Sequence, residues 1–412
     1  MNITKPVALV LLTILVISAS ITSIFVSDQI NQDSQEKFFF GVTYGQNTVE
    51  EAKVLIDKVK NFTNLFIINS YPITQNNTDP EVLNEICDYA AKSDLSFIVY
   101  FFSFHADAGD WQQEWIDTAR QTWGEKFLGI YLRDEPGGRQ IELGDVVENA
   151  STYGEVAENF VNTISSTFSM QFLNGKSVPV FTSDFTLYYF DYLAGYDTVF
   201  AEFGWNNSRI REVALCRGAA EMVKKDWGVI VTWTYMEPPY IGSGAEIYSD
   251  MVTAYDAGAK YVVIFDYPQY PIDNQFGILT DEHFLAMENF WNDVVLNPEV
   301  KQGSITGDVA MVLPKNYGWG MRRPDDTIWG LWDADEKAEQ IWNLRSDLIQ
   351  EYGLNLDIVY ADPAFPIEGK YDQTFYAASE KTGSFSSTWI AVGILIVVGV
   401  VFLLYLVKSK KL

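Results

Sequence analysis

Two glutamates, Glu135 and Glu237, each stand immediately before a proline, in the segments GIYLRDEPGG and VTWTYMEPPY. Breaking a glycosidic bond needs two carboxyl groups on opposite sides of it, one protonated and one ionised. A proline holds the preceding residue extended, which would aim both glutamates inwards if the two segments line one cleft. Around them the chain offers Tyr44, Asn69, Asp134, Asp184, Glu202, Trp205, Trp233, Tyr235, Asp266 and Tyr267 as candidate substrate contacts. Aromatic faces cover the apolar faces of sugar rings, while asparagine and carboxylates bond their hydroxyls. Glu202 is the main competitor for a carboxylate role. Asp134 places a like charge beside Glu135 and should raise a carboxyl pKa there. His105 is a loop residue that either lines the pocket or faces solvent.

Composition removes several other chemistries. Two cysteines and two histidines among 412 residues leave no material for a Cys- or His-based metal centre, so no metal or cofactor is expected. Cys87 and Cys216 fall in separate helical stretches and read as buried thiols. A formal charge of −27 argues against nucleic acid, whose phosphates require a basic surface.

The elements that would position these groups alternate regularly. Short β-rich apolar runs at 38–44, 65–70, 96–103, 128–133, 178–183, Thr198–Phe203, 228–235 and 261–267 are separated by stretches of helical period. Thr48 before Glu50 and Glu51 marks one helix start, and Asp79 before Pro80 marks another. Eight such units predict an α/β fold of the (β/α)8 barrel class, with an open doubly wound sheet as the alternative. In a barrel the candidate residues sit at the C-terminal ends of the strands, Glu135 after the fourth and Glu237 after the seventh.

With the strands so placed, GIYLRDEPGG and VTWTYMEPPY resemble the acid/base and nucleophile segments of the retaining glycoside hydrolases built on (β/α)8 barrels. The resemblance implies Glu135 as general acid/base and Glu237 as nucleophile. That superfamily usually carries asparagine before the acid/base, where it bonds the sugar 2-hydroxyl; here the position is Asp134. More distantly, DVAMVLPKNYGWG, DDTIWGLW and LDIVYADP are similar to the small α/β domain that follows the barrel in β-galactosidase-like enzymes.

The organisation expected is a signal peptide or N-terminal anchor at 1–26, a barrel at 36–297, a small α/β domain at 303–378 and a stalk at 379–388. A transmembrane helix at 389–407 and a cytoplasmic basic tail at 408–412 close the chain. The barrel would then be extracellular, and the sequons at Asn61, Asn76, Asn149 and Asn206 fit an exported chain. The acidic run 333–336 reads as a helix start. The expected function is a membrane-anchored glycoside hydrolase acting on a carbohydrate, with oligomeric state open. A glycan-binding protein without catalysis on the same barrel is the alternative, and a metal-dependent hydrolase is disfavoured by the scarcity of histidine.

Overall fold

The computed structural model describes residues 37–75, 80–104, 106, 111–268 and 274–377. Its eight parallel strands close in sequence order: β1 Phe39–Tyr44, β2 Leu65–Ile68, β3 Ser96–Phe101, β4 Phe127–Leu132, β5 Val180–Asp184, β6 Thr198–Phe203, β7 Asp226–Val231 and β8 Tyr261–Ile264. Closure is made by β1 against β8, with Phe39 opposite Tyr261. The closed barrel, and not the open sheet, is therefore the arrangement.

The strands are apolar on both faces because both are covered. One set of alternate residues fills the barrel interior: Phe39, Leu65, Ile67, Ile98, Tyr100, Phe181, Phe200, Ile230, Tyr261 and Val263. The other set, such as Phe40, Val42, Phe66, Val99 and Val229, packs under the helices. The helices in chain order are α1 Val49–Val59, α2 Tyr71–Thr74, α3 Pro80–Lys92, α4 Trp111–Trp123, α5 Pro136–Leu143, α6 Tyr153–Ser165, α7 Phe168–Gly175, α8 Tyr188–Leu193, α9 Arg209–Val223, α10 Gly244–Asp256 and α11 Asp281–Phe290. Thr48 closes a capping box with Glu51 at the start of α1. Cys87 and Cys216 are buried free thiols.

The small domain is a three-stranded parallel sheet in the order β10–β9–β11, with β9 Val309–Leu313, β10 Leu356–Tyr360, β11 Gln373–Tyr376 and helix α12 Glu336–Tyr352. Asp335 caps α12 by accepting from the Lys337 and Ala338 amides, so the acidic run is a helix start. The domain docks on α9, which is buried on nearly its whole circumference. Gly218 makes this approach possible: a Cβ there would lie 2.5 Å from the Ile358 carbonyl oxygen. Gly218→Ala is expected to cost about 1–3 kcal/mol by forcing α9 off β10. An unchanged urea midpoint would contradict that packing.

Between β9 and α12, segment 315–332 clamps the loop that follows β4. Trp319 and Trp329 are fully buried, and the Trp329 carbonyl accepts from Gln140 of α5 at 2.7 Å. No helix among the described residues is long and apolar enough to cross a membrane. The runs 7–26 and 389–407 lie outside the described residues, as do His105 and Asn76.

Candidate active site

The C-terminal mouth of the barrel narrows to a cavity of about 50 Å³, enough for a few water molecules at its floor. Its walls are Thr43, Ile67, Asn69, Tyr131, Asp134, Glu135, Ser183, Glu202, Ile230, Thr232, Trp233 and Phe265. Strand alternation explains the polar floor. Phe200 and Glu202 share the inward face of β6, and Phe181 and Ser183 share that of β5. In β4 a register shift sets Gly129 opposite Ile98, so Leu128 is the extra residue of a bulge. Beyond it Tyr131, and not Ile130, points inwards.

These groups form one hydrogen-bonded cluster. The Tyr131 hydroxyl donates to Asp134 Oδ1 at 2.6 Å. Ser183 Oγ lies 2.5 Å from Glu202 Oε1 and 3.1 Å from Asp134 Oδ1, so one hydroxyl proton serves both. Glu202, only 4% exposed, is bonded through its side chain to Glu135. No lysine or arginine lines the cavity among the described residues. Burial first, and then the charge of Asp134, pushes Glu135 up to about 7; its bond to Glu202 acts the other way. Burial, then the charges of Glu135 and Asp134, hold Glu202 well above the carboxylate range. Asp134 is also raised, by burial, although it stands at the rim with part of its surface open and accepts from Tyr131 and Ser183. Two carboxyl groups in contact cannot both ionise cheaply, so the pair keeps a proton, with protonated Glu202 donating to Glu135.

The backbone under Glu135 differs from the extended form expected before proline. Glu135 is left-handed, with φ 49° and ψ 50°, and Arg133 is left-handed too, with φ 58°. Such residues persist only where their surroundings over-determine them. Here the Glu135 amide donates to the Ser183 carbonyl at 3.1 Å, and the Arg139 amide donates to the Glu135 carbonyl at 2.8 Å. Asp184 completes the clamp by accepting from the amides of Gly137 at 2.5 Å and Gly138 at 2.9 Å, the first turn of α5. A Cβ on Gly137 would sit 2.7 Å from the Leu187 Cβ, so only glycine admits this approach.

The other expected site residues are dispersed. Asp184 faces outwards from β5 as the cap just described and does not wall the cavity. Tyr44 is fully buried on the helix side, with its hydroxyl bonded to Thr48. Asp266 is buried behind the wall, where its Oδ1 accepts from the Ile278 amide. Tyr267 stacks on Phe265 at the rim. Trp205 is half-exposed, its amide bonded to the Trp233 carbonyl. Glu237 is exposed on a turn beyond β7. Thr234 and Tyr235 both donate to the Tyr240 carbonyl, and Tyr240 donates back to Glu237, which puts residues 236–239 at the tip. Met236 beside it is 80% exposed and Tyr235 is also exposed. The structure thus gathers Asn69, Asp134, Glu135, Glu202 and Trp233, and leaves Glu237 outside the cavity wall. Tyr131 and Ser183 were missed. Period-two alternation would have found Ser183, whereas Tyr131 depends on the bulge.

No protein-family model matches the chain, and no match was found among curated proteins. Solved structures do match. A β-galactosidase from the Antarctic haloarchaeon Halorubrum lacusprofundi superposes with a TM-score of 0.53 at 10% identity, covering 82% of this chain and 69% of that one. The fold is a (β/α)8 barrel like that of glycoside hydrolases. An endo-1,4-β-mannanase from Rhizomucor miehei aligns at 13% identity over 63% of this chain and 95% of that one, TM-score 0.42. An endo-1,4-β-xylanase from Penicillium canescens aligns at 12% identity over 63% and 96%, TM-score 0.39. At 10% identity the likeness to the β-galactosidase speaks for the fold, and fold alone does not set activity.

Proposed function

We propose that the chain is a glycoside hydrolase whose working carboxyl pair is Glu135 and Glu202. The observation that carries the reading is the placement of these two carboxyl groups against each other at the floor of the barrel mouth, where burial raises both. A sugar entering the mouth parts the pair. The shared proton passes to Glu135, which donates it to the leaving-group oxygen, and the ionised Glu202 faces the anomeric centre. Parting to ~5 Å gives retention of configuration, and parting to ~6.5–9.5 Å with a water between gives inversion. Trp233 supplies a ring face, and Asn69 and Asp134 supply hydroxyl partners. An acidic cavity without a cation favours neutral or cationic glycans over uronic acids. In the same reading the apolar run 389–407 anchors this barrel on the outer face of a membrane, and the run 7–26 is a signal peptide or a second anchor.

The test is release of reducing ends by the full-length protein from a panel of neutral and amino-sugar oligosaccharides, beside Glu135→Gln. Cleavage lost in the variant with binding retained supports the reading; cleavage that survives overturns it. The contact between Glu135 and Glu202, over a cavity of about 50 Å³, favours a second reading in which the barrel binds glycans without cutting them. Binding by both forms with no release would establish that one.

The pH profile carries a sign. Below about 7 both members of the pair are protonated, and the form with one proton appears as pH rises through that value. The expected kcat/KM therefore climbs about tenfold per pH unit up to roughly 7 and then levels. Asp134→Asn removes the nearest like charge and moves this limb to lower pH. A limb that stays in place would remove Asp134 from the electrostatics of the pair.

A further inference from the structure

Behind the mouth, on the helix side of β5, two more carboxyl groups meet. Asp184 ends β5 and Asp191 lies in α8, and both are fully buried. Their side chains are bonded to each other. Asp184 collects four amides. Gly137 donates to its Oδ2, and Gly138, Phe185 at 2.8 Å and Thr186 at 3.2 Å donate to its Oδ1. Asp191 collects none: both its oxygens are closed to solvent, and neither receives a hydrogen bond among the described residues. The donors around it are engaged elsewhere. The Tyr192 hydroxyl donates to the Asp226 carbonyl at 2.8 Å, and Cys216 Sγ of α9 to the Val199 carbonyl at 3.6 Å. The Tyr188 hydroxyl goes to Glu212 at 2.5 Å, and the Tyr196 hydroxyl bonds neither oxygen. Tyr360 of β10 faces the same place from the small domain. No cation among the described residues acts on Asp191.

An ionised carboxylate only accepts hydrogen bonds, whereas a carboxylic acid donates one O–H. A buried anion with neither donor nor cation beside it has lost its solvation for nothing in return. The four amides therefore make Asp184 the ionised member, and the lack of any makes Asp191 the acid. Burial, and then the charge of Asp184, hold Asp191 well above the carboxylate range. The bond runs from the Asp191 O–H to Asp184, which in turn holds the first turn of α5. Glu135, the residue before that turn, is the one kept left-handed at φ 49°. Asp184 also lies near enough to Glu135 to feel its charge. With the proton on Asp191, a single negative charge stands behind the Glu135 loop.

We propose that Asp191 is a positioning residue that stays protonated at neutral pH, and that its O–H, through Asp184 and the Gly137 and Gly138 amides, fixes the backbone of Glu135. This role rests on the reading of Glu135 as the working acid, whereas the proton and the loop are measured without activity. Unfolding returns Asp191 to water and to an ordinary carboxyl pKa, so it releases one proton at neutral pH. The folded value is the higher one, so the stability this proton confers is greatest at low pH and falls as pH rises. Between about pH 5 and 7 the unfolding constant of the full-length parent should rise about tenfold more per pH unit than that of Asp191→Asn, which keeps a donor without a titrating proton. Asp191→Leu removes the donor. It should speed amide exchange in segment 133–140 about tenfold and lower kcat about 10²-fold at unchanged KM, while Asp191→Asn stays near the parent in both. If Asp191→Leu does not fold, Asp184→Asn, which takes the acceptor from the Gly137 amide, is read in its place for the same exchange. Equal pH slopes in parent and Asp191→Asn overturn the proton on Asp191. So does melting that depends on sodium at constant ionic strength, which would put a metal cation in the proton's place. Unchanged exchange in segment 133–140, or full kcat in Asp191→Leu of a parent that cleaves, overturns the positioning. A parent that cleaves no glycan but shows the expected slopes and exchange overturns the chemistry of Glu135 and upholds the clamp.

Discussion

Glu202→Gln is expected to lower turnover about 10³-fold, the usual worth of a positioned proton-transfer group. The same loss is expected from Glu135→Gln, and the double variant should lose little more, because the two act as a unit. Glu237→Gln is expected to stay within about twofold of the parent, as a change at an exposed turn tip. Stability separates a catalytic from a structural role for Glu202. Its carboxyl is buried against two others, with burial and the charges of Glu135 and Asp134 all opposing ionisation. Glutamine keeps the shape and a hydrogen bond to Ser183 while removing that conflict. The melting temperature of Glu202→Gln should therefore equal or exceed that of the parent even as activity falls. Single-turnover rates and thermal melts on the three variants decide the matter. Loss confined to Glu237→Gln would return the nucleophile to the turn after β7 and remove Glu202 from the chemistry.

The largest stability effect is expected at Arg217, which joins the barrel to the small domain. Its Nε donates to Asp357 Oδ1 at 2.8 Å. Nη1 reaches the carbonyls of Ala257 at 3.4 Å and Ile305 at 3.1 Å. Nη2 reaches those of Leu354 at 2.5 Å and Leu356 at 3.3 Å. A guanidinium has five N–H donors, and each finds an acceptor here. Both members of the ion pair are buried, Arg217 4% and Asp357 1% exposed. Arg217→Met would leave a buried aspartate with, among the described residues, only the Tyr371 hydroxyl as partner, and four carbonyls without their guanidinium donors. The expected cost is about 3–5 kcal/mol. Lysine should not rescue it, since one ammonium cannot span the fork. Arg217→Met combined with Asp357→Leu should recover much of the loss, because the pair removed together leaves no unpaired charge. Urea unfolding of the four proteins measures this. A single-variant cost under 1 kcal/mol would show that apolar packing of α9 on β10 holds the domain without the ion pair.

Much of this architecture was legible in the residues. Apolar runs of strand length, spaced by helical periods and punctuated by caps such as Thr48, name the elements and their order, because periodicity and capping are local properties. They also place Glu135 at the end of β4 and Asp335 at a helix start. The small domain's strands at 309–313 and 356–360 follow from the same signal. What the sequence could not determine is where a strand stops and which face a residue takes after an irregularity. The apolar character of VTWTY continues past Val231, yet pairing with β8 ends at that residue, so Glu237 falls six positions beyond the strand on a turn. The bulge at Leu128 turns Tyr131 inwards, and Asp184, one residue past Ser183, faces the helices as a cap. Glu202 meets Glu135 across 67 positions of chain, a contact made only when β4, β5 and β6 stand in register around a closed barrel. Local patterns are written residue by residue, whereas the partners that share a proton, complete a guanidinium fork or orphan a buried donor are chosen by closure of the barrel and docking of the small domain.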